Sequence, residues 1–215
     1  MSQFSTVLFD LDGTLTDPLE GITKAVQYAL RHYGIQVEDN TTLSCFIGPP
    51  LVESFQEFYG FSPEKAAEAT LVYREYFEET GIYQNKLLPG VRETLEHLRD
   101  RGLTLMVASS KPEVFVRRIL DMFELSGYFA FAGGSDLEGK RLTKADVIEY
   151  VLAENGITDR SGVVMVGDRK HDVEGAAACG LPCIGLLLGY GSRSELEGAG
   201  AMAVAEDFDQ LEKLI

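Results

Sequence analysis

Short runs of β-branched and aliphatic residues recur along the chain, and the stretches between them carry apolar residues at helical spacing. Val7-Leu8-Phe9 opens the series and breaks at Asp10-Leu11-Asp12-Gly13. Three β-favouring residues ending near a glycine predict a short buried strand that turns into a loop. Residues 103–108, 128–132, 163–166 and 183–187 repeat the pattern. Between these runs the spacing predicts helices over 89–101, closed by Gly102, over 112–123, and from about 170 to 179. A further helix is predicted over 143–155, with Thr143 as N-cap, Asp146 three residues on and Gly156 as stop. Regular β-α alternation of this kind predicts an α/β fold with a doubly wound parallel sheet and right-handed crossovers.

Residues 16–82 break the alternation. Asp17-Pro18-Leu19-Glu20 supplies a cap, a proline at the first helical position and an acid in the first turn. Ile22, Val26, Ala29, Leu30 and Tyr33 then recur at helical spacing until Gly34. A second helix fits 51–59, and a third opens at Ser62-Pro63-Glu64 and runs through Leu71, Tyr73 and Phe77 to Gly81. Phe46-Ile47-Gly48-Pro49-Pro50 between the first two is a stiff apolar loop, either dipping toward the site or serving as an ordinary interhelical turn. The expected organisation is a core of residues 1–15 and 83–215 with a helical cap of residues 16–82, placed in sequence to act as a lid.

Polar residues collect just past the predicted strand ends. Strand alternation puts Asp10 and Asp12 on the same side, so two carboxylates converge on one small volume. At neutral pH they repel unless a cation sits between them or one of them holds a proton. Mg²⁺ suits such a site, being hard, oxygen-seeking and usually held by one or two carboxylates with water and substrate phosphate. Ser109 and Lys111 follow the second strand, Lys144 opens the helix after the third, and Asp168 follows the fourth. In open α/β sheets the ligand crevice lies at those ends, where helix N-termini favour phosphate. Each residue has a bland reading as cap, turn former or solvated side chain. Their recurrence at matching topological positions favours a site.

Charge narrows the partners. The 215 residues carry 34 acidic against 19 basic side chains, a formal charge of -15, which opposes binding to nucleic acid or an anionic membrane surface. Residues 175–192 are uncharged, but Gly180, Pro182, Gly185, Gly189 and Gly191 interrupt them, so helix, turn and buried strand fit better than a membrane span. Cys45, Cys179 and Cys183 read as core thiols in a reducing cytosol, and a cytoplasmic protein is expected.

FDLDGTLTD at 9–17, ASSKP at 108–112, Lys144 in TKADVI and GDRKHD at 167–172 resemble the four ordered motifs of the haloacid dehalogenase superfamily. DPLEGITKAVQYALRHYGI and NKLLPGVRETLEHLRDRG are similar to its phosphoglycolate-phosphatase-like branch, which also includes 5′-nucleotidases and pyrophosphatases. The resemblance implies a Rossmann-like core, an inserted helical cap and an Mg²⁺-dependent phosphatase of small phosphomonoesters, monomeric or a small homo-oligomer. Asp10 would be the nucleophile and Asp12 the general acid, then base. Mg²⁺ would be held by the Asp10 carboxylate, the Asp12 backbone carbonyl and Asp168. Ser109, Lys144 and N–H groups near Gly13 would bind the phosphoryl oxygens. Asp172 would touch the metal through water or orient Lys144. Arg169 and His171 are read as surface residues, and Lys111 as either attracting phosphate or simply solvated. A sugar-phosphate mutase would use the same core. A non-catalytic phospho-receiver domain would lack the inserted helices and carry its acceptor aspartate after a later strand. Dehalogenation is disfavoured because Asp12 is present, and a halide needs no acid.

Overall fold

The computed structural model describes residues 3–137 and 140–215. In chain order, β1 (Thr6–Phe9) is followed by α1 (Leu19–His32), α2 (Leu51–Tyr59), α3 (Pro63–Glu79) and α4 (Val91–Asp100). Strand β2 (Thr104–Pro112), α5 (Glu113–Met122), β3 (Phe131–Ser135) and α6 (Lys144–Glu154) come next. Then follow β4 (Val163–Gly167), α7 (Lys170–Ala178), β5 (Cys183–Leu186), α8 (Arg193–Gly198), β6 (Ala203–Ala205) and α9 (Phe208–Leu214). The chain divides into two compact units, Met1–Thr16 with Leu87–Ile215, and Asp17–Lys86. Among the described residues no helix is long and apolar enough to cross a membrane.

The larger unit is built on a parallel sheet in the order β3-β2-β1-β4-β5-β6. Strand β1 lies between β2 and β4, with Phe9 opposite Val107 on one side and Val166 on the other. Every residue of β1 and β4 is buried, as strands covered on both faces must be. Leu8, Met106 and Met165 cluster with Val147 and Ile148 of α6 and Val173 and Ala176 of α7. The alternate positions Val7, Phe9, Val107 and Val166 are equally buried. The carboxyl ends of β1, β2 and β4 therefore lie side by side.

Five elements depart from the pattern-based expectation. Strand β2 runs past Ala108 to Pro112, with a shift in its pairing to β3 between Ser109 and Pro112. Strand β3 spans Phe131–Ser135 where 128–132 was expected: Ser126–Tyr128 form a 3₁₀ turn, and Gly133 and Gly134 are strand residues, a Cβ at Gly134 colliding with the 111–113 backbone. Sequence punctuation reads such glycines as strand ends, whereas the close approach of β2 requires Gly134 and that of Val151 in α6 requires Gly133. Strand β6 and helices α8 and α9 carried no expectation, β6 being a three-residue Ala-Val-Ala edge strand.

Helix α6 starts as expected. Thr143 accepts from the Asp146 N–H at 3.1 Å, and the Asp146 carboxylate accepts from the Thr143 N–H at 2.9 Å, a reciprocal capping box. The Thr143 N–H holds the Asp146 carboxyl below its ordinary value. Its contribution is therefore present above the ordinary carboxylate range and lost as pH falls through the depressed value. Thr143→Ala should cost about 1 kcal/mol in urea unfolding at neutral pH. A variant indistinguishable from wild type would show that the cap contributes nothing.

The smaller unit holds α1, α2, α3 and a 3₁₀ segment, Asn40–Phe46, entered through Asp39, whose carboxylate accepts from the Thr41 N–H. Phe46, Phe55 and Phe61 form its aromatic centre, the last two stacked 5.8 Å apart. The Lys65 ammonium lies 3.9 Å from the Phe61 ring centre. Helices α2 and α3 occupy the predicted spans to within two residues.

Candidate active site

Asp10 follows β1 and is fixed there by its N–H, which donates to the Val166 carbonyl at 2.9 Å. Its Oδ1 accepts from Lys144 Nζ at 2.7 Å. The same ammonium lies 2.7 Å from Asp172 Oδ1 and donates to the Ala108 carbonyl at 3.1 Å. All three side chains are at most 5% exposed. Burial alone would lower the lysine's pKa, but the Asp10 and Asp172 charges outweigh it and hold the ammonium above its ordinary range. Lys144 reaches this point because it is the first residue of α6, held there by the Thr143 cap.

Asp12 pairs with Lys111, and both side chains are buried. The sequence reading offered Lys111 a phosphate or solvent. The structure gives it a carboxylate, because the irregular stretch of β2 between Ser109 and Pro112 turns its side chain inward. Only Oδ2 of Asp12 takes part, and Oδ1 is buried with no hydrogen-bond partner among the described residues. Burial pushes the Asp12 carboxyl up, and Lys111 only partly opposes the shift. The repulsion between Asp10 and Asp12 is thus relieved by two lysines, one for each acid, beyond the metal or proton considered from sequence.

Asp168 follows β4 and is fully buried. Its Oδ2 accepts from the Tyr190 N–H at 2.7 Å and its Oδ1 from the Thr14 hydroxyl at 3.4 Å. Three glycines wall it in. A Cβ on Gly13 or Gly189 would overlap its carboxylate, and one on Gly191 its carbonyl. Burial, followed by the charges of Asp172 and Asp10, pushes Asp168 well above its ordinary value. Thr14 and the 189–191 loop were missed from sequence. The signal was there in Gly189-Tyr190-Gly191 past a strand end, but those glycines were read only as breakers.

Asp172 spends both oxygens within the protein, Oδ1 on Lys144 and Oδ2 on the Arg169 N–H at 3.0 Å. Burial raises its pKa against the opposing pull of Lys144. Arg169 and His171, expected at the surface, are half-buried: Arg169 Nε donates to Glu195 at 2.9 Å and its side chain is 14% exposed. His171 is partly buried, and burial lowers its pKa. Ser109 is buried at the end of the regular part of β2, where its Oγ accepts from the Lys111 N–H. Gly13 turns the chain at φ +85°, and its own N–H donates to the Thr16 carbonyl at 2.7 Å. That N–H is committed to the turn. Among the described residues no acceptor takes the Leu11 or Asp12 N–H, so these are the donors near Gly13 left for an oxyanion.

One carboxylate oxygen each from Asp10, Asp168 and Asp172 lies within 4.8 Å of the others. Counting Asp12, four buried carboxylates face two buried ammoniums. These clustered oxygen donors, more numerous than the buried ammoniums beside them, fit a hard divalent cation.

Residues 7–186 match the family model of the haloacid dehalogenase-like hydrolases. A 5′-nucleotidase of Pseudomonas aeruginosa is 46% identical over 194 residues, covering 90% of this chain and 87% of that protein. A protein named tyrosine-protein kinase PtkA, from Mycobacterium tuberculosis, is 37% identical over 212 residues, 97% of this chain and 72% of its own length. The crystal structure of a predicted phosphatase from Clostridium acetobutylicum matches with a TM-score of 0.96 at 47% identity, covering 99% of this chain and 98% of that one. Sheet order, strand-end acids and relatives converge: the chain belongs to the haloacid dehalogenase-like hydrolase family.

Proposed function

We propose that the enzyme hydrolyses small soluble phosphomonoesters with Mg²⁺, in two displacements through a phosphoryl group carried on Asp10. The observation that carries this reading is the pairing of Asp10 with a buried ammonium beside an Asp12 whose Oδ1 is buried and unpartnered. The Lys144 ammonium lies on Asp10 and orients it as nucleophile, while burial pushes the carboxyl of its neighbour Asp12 up. The two acids are thereby set to different roles.

In the first step an Asp10 oxygen bonds to phosphorus as the ester P–O bond breaks, and Asp12 gives its proton to the departing oxygen. In the second, water bonds to phosphorus as the Asp10–phosphorus bond breaks, and Asp12 takes the water's proton. Ser109, Lys144 and the Leu11 and Asp12 N–H groups hold the phosphoryl oxygens. Asp10, Asp168 and the Asp12 backbone carbonyl would hold Mg²⁺, which supplies charge neutralisation between an anionic nucleophile and an anionic substrate. Asp172, with both oxygens engaged, acts on Lys144 or on the metal through water.

Nucleoside 5′-monophosphates are the first substrates to test, given the 5′-nucleotidase relative, with phosphoglycolate and sugar phosphates beside them. The helical unit, inserted in sequence after the Asp10 loop, would select for small substrates, and three free cysteines agree with a cytoplasmic setting. Phosphate release over such a panel should show one clear best substrate without any added bisphosphate, which separates hydrolase from mutase. A chelator should abolish turnover and Mg²⁺ restore it, whereas Ca²⁺ should bind and inhibit through its looser coordination. Full activity in excess chelator would contradict the metal assignment. The kinase-named relative motivates one control, transfer of a labelled phosphoryl group from ATP to a tyrosine peptide. Transfer exceeding hydrolysis would reverse the reading.

A further inference from the structure

Lys111 stands outside the reaction just described, yet the fold goes to some length to place it. Strand β2 changes register between Ser109 and Pro112. Such an irregularity re-aims a side chain next to a site. Gly134 of β3 makes room for it, since a Cβ there would strike the Lys111 carbonyl and the Glu113 backbone. The result is a buried ammonium on Asp12 Oδ2, with Oδ1 left without a hydrogen-bond partner among the described residues. A carboxyl group free to rotate would present either oxygen. This one is anchored through a single oxygen.

We propose that Lys111 is a positioning residue that acts through Asp12: it holds Oδ2 and so assigns Oδ1 to the reacting proton. This inference rests on the acid-base role given to Asp12 above. In the first displacement the proton leaves Oδ1 for the departing ester oxygen as the P–O bond breaks. In the second, the attacking water's proton arrives at Oδ1 as the Asp10–phosphorus bond breaks. Lys111 takes no part in either proton transfer. Its work is to remove the wrong orientations of Asp12 and to keep the acid within reach of the leaving group.

The test compares wild type, Lys111→Met, Asp12→Asn and the double variant by first-turnover release of the leaving group from an alkyl phosphate and from p-nitrophenyl phosphate. An alkoxide needs the proton and p-nitrophenolate does not. Lys111→Met should slow the alkyl phosphate roughly 10²-fold and p-nitrophenyl phosphate less than about tenfold, since misplaced acid catalysis forfeits part of a ~10²–10⁴-fold effect. In the Asp12→Asn background the Lys111 substitution should cause almost no further loss, because the two act as one unit. Lys111→Arg, which keeps the charge, and the double variant, which removes both charges, provide folded comparisons should Lys111→Met unfold. Equal loss on both substrates, a raised KM on both, or a Lys111 effect that survives in Asp12→Asn would overturn the proposal and make Lys111 a phosphate-binding group. A wild type without phosphatase activity would instead defeat the underlying reading, leaving the two failures distinct.

Discussion

Asp10→Asn should release no measurable phosphate from any substrate that the wild type hydrolyses, a loss on the order of 10⁴–10⁶-fold. The amide keeps the shape of the carboxylate and can still accept from Lys144 Nζ, now 2.7 Å from Oδ1, so the fold should survive. What it loses is the negative charge and nucleophilicity needed to bond to phosphorus. Acid-quenched wild type should carry an added phosphoryl mass that the variant lacks. Substantial turnover by a purified, folded Asp10→Asn protein would remove Asp10 from the nucleophile role.

Lys144→Met is the second large effect, and it falls on stability as well as rate. The methylene stem packs against α7, where a Cβ on Gly175 would meet Lys144 Cγ at 2.6 Å, and methionine preserves most of that contact. The ammonium is what disappears, leaving Asp10 and Asp172 buried without their shared counter-charge. Stranding a buried charge costs about 3–5 kcal/mol, a large part of the ~5–15 kcal/mol that holds a typical domain folded. Urea unfolding with chelator present should show this loss, and adding Asp172→Asn should recover part of it by removing one of the stranded charges. A single variant within about 1 kcal/mol of wild type would mean that the acids shed their charge at little cost.

The acids were legible in the sequence because they obey a topological rule: Asp10, Asp12 and Asp168 each follow a strand whose apolar run is plain, and ligands gather at such ends. Lys144 was legible through its cap, since Thr143 and Asp146 fix where α6 begins. Lys111 was not, because its direction depends on how β2 and β3 pair at Ser109 and Pro112, a contact that no local pattern encodes. Gly13 lies against the Asp168 carboxylate, but its N–H direction follows from the turn closed on Thr16, which only the folded loop reveals. The far end of β3 was missed for a related reason. Gly133 and Gly134 look like breakers in isolation and act as clearance, Gly133 for Val151 of α6 and Gly134 for the backbone of Lys111 and Glu113.

The central position of β1 has a further consequence for how this protein reaches its native state. Thr6 pairs with Thr104 on one flank and Val163 on the other, so the strand carrying the nucleophile completes its hydrogen bonding only through partners far along the chain. Contacts of such sequence separation must overcome a large loop-closure entropy before they return any energy. Folding of the larger unit is therefore expected to be slow and governed by non-local nucleation, whereas the helical unit, contiguous from Asp17 to Lys86, can form early from local contacts. A polypeptide interrupted before Val163 would hold Asp10 on a half-paired strand with an open edge, the geometry most exposed to intermolecular association.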